Sequence, residues 1–472
     1  MHRVLFGAVL CGLAVAVPAA AVLATAPHWS ASDRAVLSRD ALSHDAGARG
    51  GASADGAGGR PASAGGPRVV EYLGLRIPVP AGWEVHRLDR DPSRCVRYDR
   101  RAVYLGRPGR QPDCPARVAG RTEAVHVQPS ADAPAAGEAR RTVTGSRLAT
   151  VTVRPTVDRE LRLDLRDVGV TITGVYGTAP GILQELLRGI GLTGRPSAGG
   201  SAPRTRGGAP DSTGTPEPPA SAPAAPKPEP TRGSAAQDGP AKAVPKRWVR
   251  GKGFDTCTAP SLATMRAWRP SFKVTNIYIG GAARGCAQPN LTQRWVREVR
   301  AMGYRITPTY VGLQAPCSSR SQRFTAKNAA VEGRRAAVDA ARKAKDLGIP
   351  AGAPIYYDME AYESRGSTCK AAVLRFVDNW VRGLRAEGYT PCMYSSVASG
   401  IRDVGEAKGI AKPEGIWFAH WDRRPQIYGD PYIPDSWWHP HRRVKQYWGD
   451  HRETHGGVTL NIDSNIADGL VH

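Results

Sequence analysis

Long apolar runs are almost absent from this chain of 472 residues. Only residues 4–26 are apolar over a length that could cross a bilayer, which excludes a polytopic membrane protein. Glycine and proline make up about a fifth of the chain but lack the every-third-residue period of collagen. The net charge is +23, yet no run of basic residues interleaved with aromatics occurs, so we expect no nucleic-acid partner.

The apolar stretch has the organisation of a secretory signal. His2 and Arg3 precede it, and small residues occupy its end, where we expect cleavage after Ala26. An uncleaved membrane anchor is the alternative, because the stretch is long enough to span a bilayer. We therefore predict a signal peptide at residues 1–26 and a secreted, extracellular protein without a membrane span in the mature chain. Association with the cell wall is one option for its location.

Changes in composition divide the rest of the chain. Residues 27–67 contain few large apolar side chains and are predicted to be a disordered linker. Residues 68–194 combine alternating strand patterns with helical spacing at 181–192, which predicts a small α+β domain containing a Cys95–Cys114 disulfide. Residues 195–246 are rich in proline, alanine and glycine and are predicted to be a semi-stiff linker.

Residues 247–472 alternate between strand and helix patterns. Eight strand signals occur in this region, and the early ones are each followed by a helical pattern. This arrangement predicts an α/β fold, a (β/α)8 TIM-like barrel. A doubly wound open sheet is less favoured, because no glycine-rich dinucleotide turn follows the first strand.

Four carboxylates are predicted to lie at the C-terminal ends of barrel strands, where such barrels build their sites. Asp255 follows the first strand, Asp358 and Glu360 follow the fourth, and Asp463 lies near the eighth. Asp358 and Glu360 are two residues apart and should point into the same space as Tyr356. Crowding would raise the pKa of at least one carboxyl group and keep it protonated near neutral pH. The alternatives are helix or turn caps at Asp255 and Asp463, or a divalent cation held by the four carboxylates.

Aromatic residues are the second feature of the predicted strand ends. Aromatic faces beside carboxylates suit a sugar, whose C–H faces stack while its hydroxyls form hydrogen bonds. We therefore expect an envelope glycan as ligand, and we expect no metal and no cofactor. The tryptophans could instead be core residues. The candidate sugar-binding residues are Tyr278, Tyr310, Tyr356, Tyr394, Trp417, Trp421, Tyr447 and, beside it, Trp448.

A series of ordered motifs adds a family resemblance over about residues 251–470. The motifs are GKGFDTCTAPS, YIGG, PTYVGLQAPC, GAPIYYDMEAY, MYSSVASGI, IWFAHW, KQYWG and NIDSN. In this order they resemble the secreted glycoside-hydrolase-like barrels known as domain of unknown function 1906, and more distantly the family-25 lysozymes. The module at residues 68–194 resembles a domain often attached to such barrels.

The lysozyme resemblance implies roles for the four carboxylates. Glu360 would be the general acid that protonates the leaving oxygen, and Asp358 would stabilise positive charge or orient a substrate N-acetyl group. Asp255 and Asp463 would tune these groups and bind sugar hydroxyls. The implied activity is hydrolysis of peptidoglycan or a related cell-envelope polysaccharide. The alternative is a catalytically inactive carbohydrate-binding barrel associated with the cell wall.

The order of barrel strands also predicts two disulfides. Cys257 and Cys286 follow the first and second strands, and Cys317 and Cys369 follow the third and fourth. Neighbouring strand ends allow the Cα separation of about 5.5 Å that a disulfide needs. We predict the pairs Cys257–Cys286 and Cys317–Cys369, each contributing about 3 to 4 kcal/mol. Cys392 lies inside the fifth strand and is predicted to be a buried thiol.

Overall fold

The computed structural model of the protein describes residues 67–130, 140–193 and 247–472. The predicted signal peptide at 1–26 and the linker at 195–246 lie outside the described residues, as does the linker at 27–67 apart from its last residue. The described ranges all belong to one compact unit. Among them, no helix combines the length and the apolar composition that a membrane span requires.

The described residues of the N-terminal module (67–130 and 140–193) form two sheets and one α-helix. A three-stranded sheet has the order β1-β2-β9, and a six-stranded sheet has the order β3-β4-β5-β8-β7-β6. The strands are β1 (Arg68–Tyr72), β2 (Leu75–Val79), β3 (Glu84–Arg87), β4 (Ala102–Leu105), β5 (Ala124–Pro129), β6 (Arg140–Val143), β7 (Glu160–Leu165), β8 (Val170–Val175) and β9 (Gly191–Leu192).

Helix α1 (Gly181–Gly189) is shorter than the pattern at 181–192 predicts. After Ile190 leaves the helical conformation, Gly191 and Leu192 pair with β2 as the short strand β9. The helical spacing therefore includes two residues that belong to the sheet, because leucine suits a buried helix face and a strand equally well. A 3₁₀ helix spans Gly145–Thr150.

Residues 247–472 form a closed barrel of eight strands, β10 to β17 in sequence order. The strands are β10 (Trp248–Asp255), β11 (Val274–Gly280), β12 (Arg305–Tyr310), β13 (Pro354–Asp358), β14 (Thr390–Ser396), β15 (Gly415–Ala419), β16 (Arg443–His455) and β17 (Val458–Leu470). The helices between them are α2 (Leu262–Trp268), α3 (Gln293–Ala301), α4 (Ala329–Asp346), α5 (Ser367–Ala386) and α6 (Arg402–Glu406), the last preceded by a π turn at Val397–Ile401.

The barrel departs from the predicted (β/α)8 pattern at its closure. Strands β10 to β16 are parallel, but β17 is antiparallel to both β16 and β10. Only Gly456 and Gly457, both with positive φ, connect β16 to β17. A two-residue turn can only form a hairpin, since a parallel crossover needs a dozen or more residues. The fold is therefore a mixed α/β barrel, which confirms the eight strands of the predicted (β/α)8 TIM-like barrel but not the direction of the last one.

The disulfide predictions are confirmed. Cys95–Cys114, Cys257–Cys286 and Cys317–Cys369 are bonded, with Cα separations of 5.0, 5.8 and 6.0 Å. Cys392 is a free and buried thiol, also as predicted.

Candidate active site

The structure brings the four predicted carboxylates to the same end of the barrel. Asp255 is the last residue of β10 and lies directly opposite Asp463 of β17. Asp358 is the last residue of β13, and Glu360 follows two positions later. We call these four residues the carboxylate cluster. All four are buried, with exposed fractions between 0 and 4%.

Gln446 of β16 joins two members of the carboxylate cluster. Its Nε2 lies 3.1 Å from both carboxylate oxygens of Asp255 and 3.1 Å from Oδ2 of Asp463. Asp255 also accepts a hydrogen bond from Nδ2 of Asn465 at 2.5 Å, and Asp463 accepts one from the backbone N–H of Asp450 at 2.6 Å. These hydrogen bonds hold the carboxylate groups of Asp255 and Asp463 in place within the cluster. The helix-cap alternative for Asp255 is wrong, since Ser261 caps α2.

Gln314, in the loop after β12, positions the end of β13. Its Nε2 donates to the backbone carbonyl of Asp358 at 2.9 Å, and its Oε1 accepts from the backbone N–H of Glu360 at 2.7 Å. The side chain of Asp358 has one buried oxygen, Oδ1, with no hydrogen-bond partner among the described residues. The loop thus fixes the backbone of both acids and leaves Oδ1 of Asp358 without a donor.

An arginine from the N-terminal module completes the cluster. Nη2 of Arg117 lies 3.0 Å from Oε2 of Glu360, and Nη1 donates to the hydroxyl of Tyr394. Tyr394 in turn donates to Oε1 of Gln446 at 3.0 Å. Arg320, from the loop after β12, lies 3.9 Å from the same oxygen of Glu360. None of the carboxylates and aromatic residues predicted for the site belongs to this module, so Arg117 is an addition to the predicted site.

Burial shifts the titration of three members of the cluster. Desolvation raises the pKa of Asp255 to about 6, although hydrogen bonds from Asn465 and the charge of Arg117 oppose it. Desolvation, followed by repulsion from Glu360, raises the pKa of Asp358 well above its ordinary value. Desolvation, followed by repulsion from Asp255, does the same for Asp463. Protonated carboxyl groups are therefore available near neutral pH, as proton donation requires.

Four of the predicted aromatic residues lie on the cluster. Tyr278 donates to Asp255 at 3.3 Å, and Trp421 donates through its indole N–H to Gln446 at 2.9 Å. Tyr394 bonds to Gln446, as described above. Trp417 donates to Asn465 at 2.8 Å, and its ring packs edge-on against Tyr394.

Tyr310 and Tyr356 were predicted to bind sugar, and the structure places both away from the cluster. The side chain of Tyr310 points outwards, where its hydroxyl donates to Asp339 of α4 at 2.7 Å. The hydroxyl of Tyr356 donates to the carbonyl of Leu470 at 2.8 Å. Leu470 pairs with the first residue of β10, so this contact lies at the opposite end of the barrel from Asp255. Both tyrosines are core residues.

The remaining predicted aromatics, Tyr447 and Trp448, are half-buried on β16. Tyr447 interacts with Ser464 of β17, and Trp448 stacks on His451 with ring centroids 3.8 Å apart. These two contacts lie within the β16–β17 hairpin, and the guanidinium group of Arg423, from the loop after β15, lies 5.3 Å from the centroid of the Trp448 ring.

A second group of ionisable side chains lies after β15. His420, Asp422 and Asp430 could offer three ligand atoms to a metal ion. However, the ammonium group of Lys445 lies 2.7 Å from Asp422 and 3.5 Å from Asp430, and His420 contacts Asp430 at 2.7 Å. Asp422 and Asp430 therefore already have a cationic partner in Lys445. We interpret the group as an ion-pair cluster.

Structures similar in part are an uncharacterized B. stearothermophilus protein (20% identity, 46% of this chain and 99% of that chain, TM-score 0.32), the Clostridium perfringens spore cortex lytic enzyme SleM (14%, 42% and 60%, 0.29) and a muramidase from Acremonium alcalophilum (16%, 47% and 94%, 0.30). TM-scores this low carry no argument about function. No curated protein matches the sequence.

The family model described as "Rv2525c-like, glycoside hydrolase-like domain" matches residues 266–467. The match includes Asp358, Glu360 and Asp463, whereas Asp255 precedes it. It confirms the resemblance that the ordered motifs carry. Residues 266–467 of the chain thus match the model of an Rv2525c-like, glycoside hydrolase-like domain.

Proposed function

We propose that the protein is a secreted glycoside hydrolase that acts on peptidoglycan or a related cell-envelope polysaccharide. The observation that carries this proposal is the carboxylate cluster, four buried acids with aromatic side chains at one end of the barrel. The family match supports the reaction class. Three disulfides support secretion, because disulfides persist mainly in oxidising compartments outside the cytosol.

In the proposed reaction, Glu360 is the general acid. It donates its proton to the glycosidic oxygen as the bond to the anomeric carbon breaks. Asp358 stabilises the positive charge that develops on the sugar, or orients a substrate N-acetyl group that attacks the anomeric carbon. Water then supplies the hydroxyl group at that carbon, and its proton returns to a carboxylate of the site.

Asp255 and Asp463 have supporting roles in this proposal. Gln446 holds both carboxylates within hydrogen-bond distance, and the buried charge on either raises the cost of ionising the other. The aromatic side chains of Tyr394 and Trp421 contact Gln446 from the same end of the barrel. They offer the stacking surfaces that a sugar ring needs.

The test is the substitution Glu360→Gln, which keeps the size of the side chain and removes its proton. Glu363→Gln is the matched control, since Glu363 is exposed and pairs with Arg365. Release of reducing ends from purified peptidoglycan should fall about 10²–10⁴-fold in the first variant and remain unchanged in the second. Because Arg117 pairs with Glu360, both variants are also made in an Arg117→Gln background. In a background that does release reducing ends, equal release by the Glu360→Gln variant and its parent would remove Glu360 from the mechanism.

The second candidate function is a glycan-binding barrel without turnover. The ion pair between Arg117 and Glu360 favours it, because a carboxylate committed to an arginine is a poor proton donor. The two functions separate in the same assay. Peptidoglycan that co-sediments with the protein but releases no reducing ends in either background would support the binding function and refute the hydrolase.

A further inference from the structure

One segment of the N-terminal module, residues 111–121, lies across the C-terminal end of the barrel. We call it the covering segment. It forms hydrogen bonds with the loops that follow three successive strands, β10, β11 and β12. These bonds run from Cys257 N to Pro115 O (3.4 Å), Gly285 N to Val118 O (3.2 Å), Gly120 N to Ala283 O (2.7 Å) and Arg121 N to Gln322 Oε1 (2.8 Å).

Side chains fasten both ends of the covering segment. At one end, Asp113 accepts two hydrogen bonds from Arg452 of the β16–β17 hairpin, at 2.7 and 2.8 Å. At the other end, Arg121 and Arg284 both contact Glu160, at 3.2 and 2.9 Å. Since Arg284 belongs to the barrel and Glu160 to the module, this group of charges joins the two parts.

The disulfide Cys95–Cys114 connects the covering segment to the rest of its module. It packs against the barrel disulfide Cys257–Cys286 in one buried cluster. The covering segment is therefore held by backbone bonds, ion pairs and apolar packing at once, and the closed arrangement is the one that the folded chain adopts.

Arg117 lies in the middle of the covering segment and reaches the carboxylate cluster. Its side chain is 12% exposed and that of Glu360 is 6% exposed. The guanidinium group also lies over the ring of Tyr394, 4.8 Å from the ring centroid. In this arrangement the side chain of Arg117 covers Glu360 and leaves a sugar unit little room to reach it.

Charge reinforces this steric effect. A guanidinium group 3.0 Å from a carboxyl group stabilises the ionised form, whereas a general acid must carry a proton. Burial alone would lower the pKa of Arg117, but the charges of Glu360 and its neighbours hold that pKa well above its ordinary value. Arg117 therefore carries its positive charge near neutral pH.

We propose that the N-terminal module is an intramolecular inhibitor of the barrel, in which the covering segment closes the site and Arg117 pairs with Glu360. The inference rests on the proposed function of Glu360 and extends it to the module, for which the sequence indicates no role. It assigns the full-length chain a latent state, from which the site opens when the covering segment leaves the end of the barrel.

The experiment compares the full-length protein with its Arg117→Gln variant. Arg90→Gln is the matched control, because it removes one positive charge from an exposed position of the same module. Two measurements do not depend on turnover. The first is modification of Glu360 by a water-soluble carbodiimide, located by mass spectrometry. The second is binding of a soluble glycan strand of alternating N-acetylglucosamine and N-acetylmuramic acid. Release of reducing ends from peptidoglycan is measured in parallel.

Modification of Glu360 and glycan binding should both rise at least tenfold in Arg117→Gln and stay unchanged in Arg90→Gln. If Arg117→Gln fails to fold, Arg117→Met preserves the apolar packing over Tyr394 and removes the charge. Unchanged modification and binding in a folded variant would overturn the inhibitory role, as would wild-type release of reducing ends at the rate of the variant. A gain in both measurements without any release would support the inhibitory role and refute the hydrolase.

Discussion

The pKa of Asp255 makes a quantitative prediction about stability and pH. Asp255 is fully buried, and its pKa is raised from 3.8 to about 6 in the folded protein. The folded state therefore retains a proton that the unfolded chain releases. The stabilisation from this proton is fully present below about pH 4 and is lost as the pH rises through about 6. At about 1.4 kcal/mol per pH unit, the interval from 3.8 to about 6 corresponds to about 3 kcal/mol.

The substitution Asp255→Asn isolates this effect, because asparagine keeps the shape of the side chain and does not ionise. The variant loses acceptor oxygen for Gln446 and Asn465, which costs stability by an amount that does not depend on pH. The pH-dependent part is thus the informative one. The free energy of unfolding of the variant, relative to wild type, should increase by about 3 kcal/mol between about pH 4 and pH 7.

The measurement is urea unfolding followed by tryptophan fluorescence at several pH values, with the disulfides kept oxidised. Glu71→Gln serves as control, since the side chain of Glu71 is 67% exposed. Its free energy of unfolding should follow that of wild type at every pH. A difference between Asp255→Asn and wild type that stays flat across this range would refute the reasoning, because it would show that Asp255 ionises equally in the folded and unfolded chain.

Two further predictions concern stability. Replacing Cys317 and Cys369 by serine together should lower the free energy of unfolding by about 4 kcal/mol, because the disulfide closes a loop with a sequence separation of 52 residues; an unchanged denaturation midpoint would contradict this. Tyr310→Phe should cost about 2 kcal/mol in thermal or chemical unfolding, because a buried hydroxyl leaves Asp339. In the Arg117→Gln background the same substitution should leave glycan binding unchanged, and a loss of binding would return Tyr310 to the site.

The sequence predicts the carboxylate cluster because strand patterns have identifiable ends. Asp255 and Asp358 each terminate a run of strand-forming residues, and the parallel strands bring those ends together. The direction of β17 is not encoded in its own pattern, since alternation looks the same along a strand in either direction. The antiparallel closure depends instead on the Gly456–Gly457 turn.

Two errors in the predicted site have separate physical causes. On β12, Thr309 contacts Asn276 inside the barrel at 2.7 Å, so its neighbour Tyr310 must face outwards. The strand is buried on both faces, and its sequence therefore gives no sign of which face is inside. Arg117 was missed because it lies 243 residues from Glu360, in a different module, and no local pattern relates the two. Gln446 lies within the motif KQYWG, and Gln314 lies within the motif PTYVGLQAPC. The hydrogen bonds described above give a structural reason for the glutamine in each motif.

The antiparallel closure divides the site into halves that are positioned in different ways. Asp255, Gln446 and Asp463 lie on three adjacent strands, β10, β16 and β17, whose backbone pairing sets the spacing of the three side chains. Asp358 and Glu360 stand across the barrel, and side chains such as Gln314 and Arg117 connect them to their surroundings. Backbone pairing thus fixes the positions of the first three side chains, whereas the positions of Asp358 and Glu360 depend on side chains from the loops. Changes of specificity are accordingly easier to introduce around the end of β13 than along the hairpin.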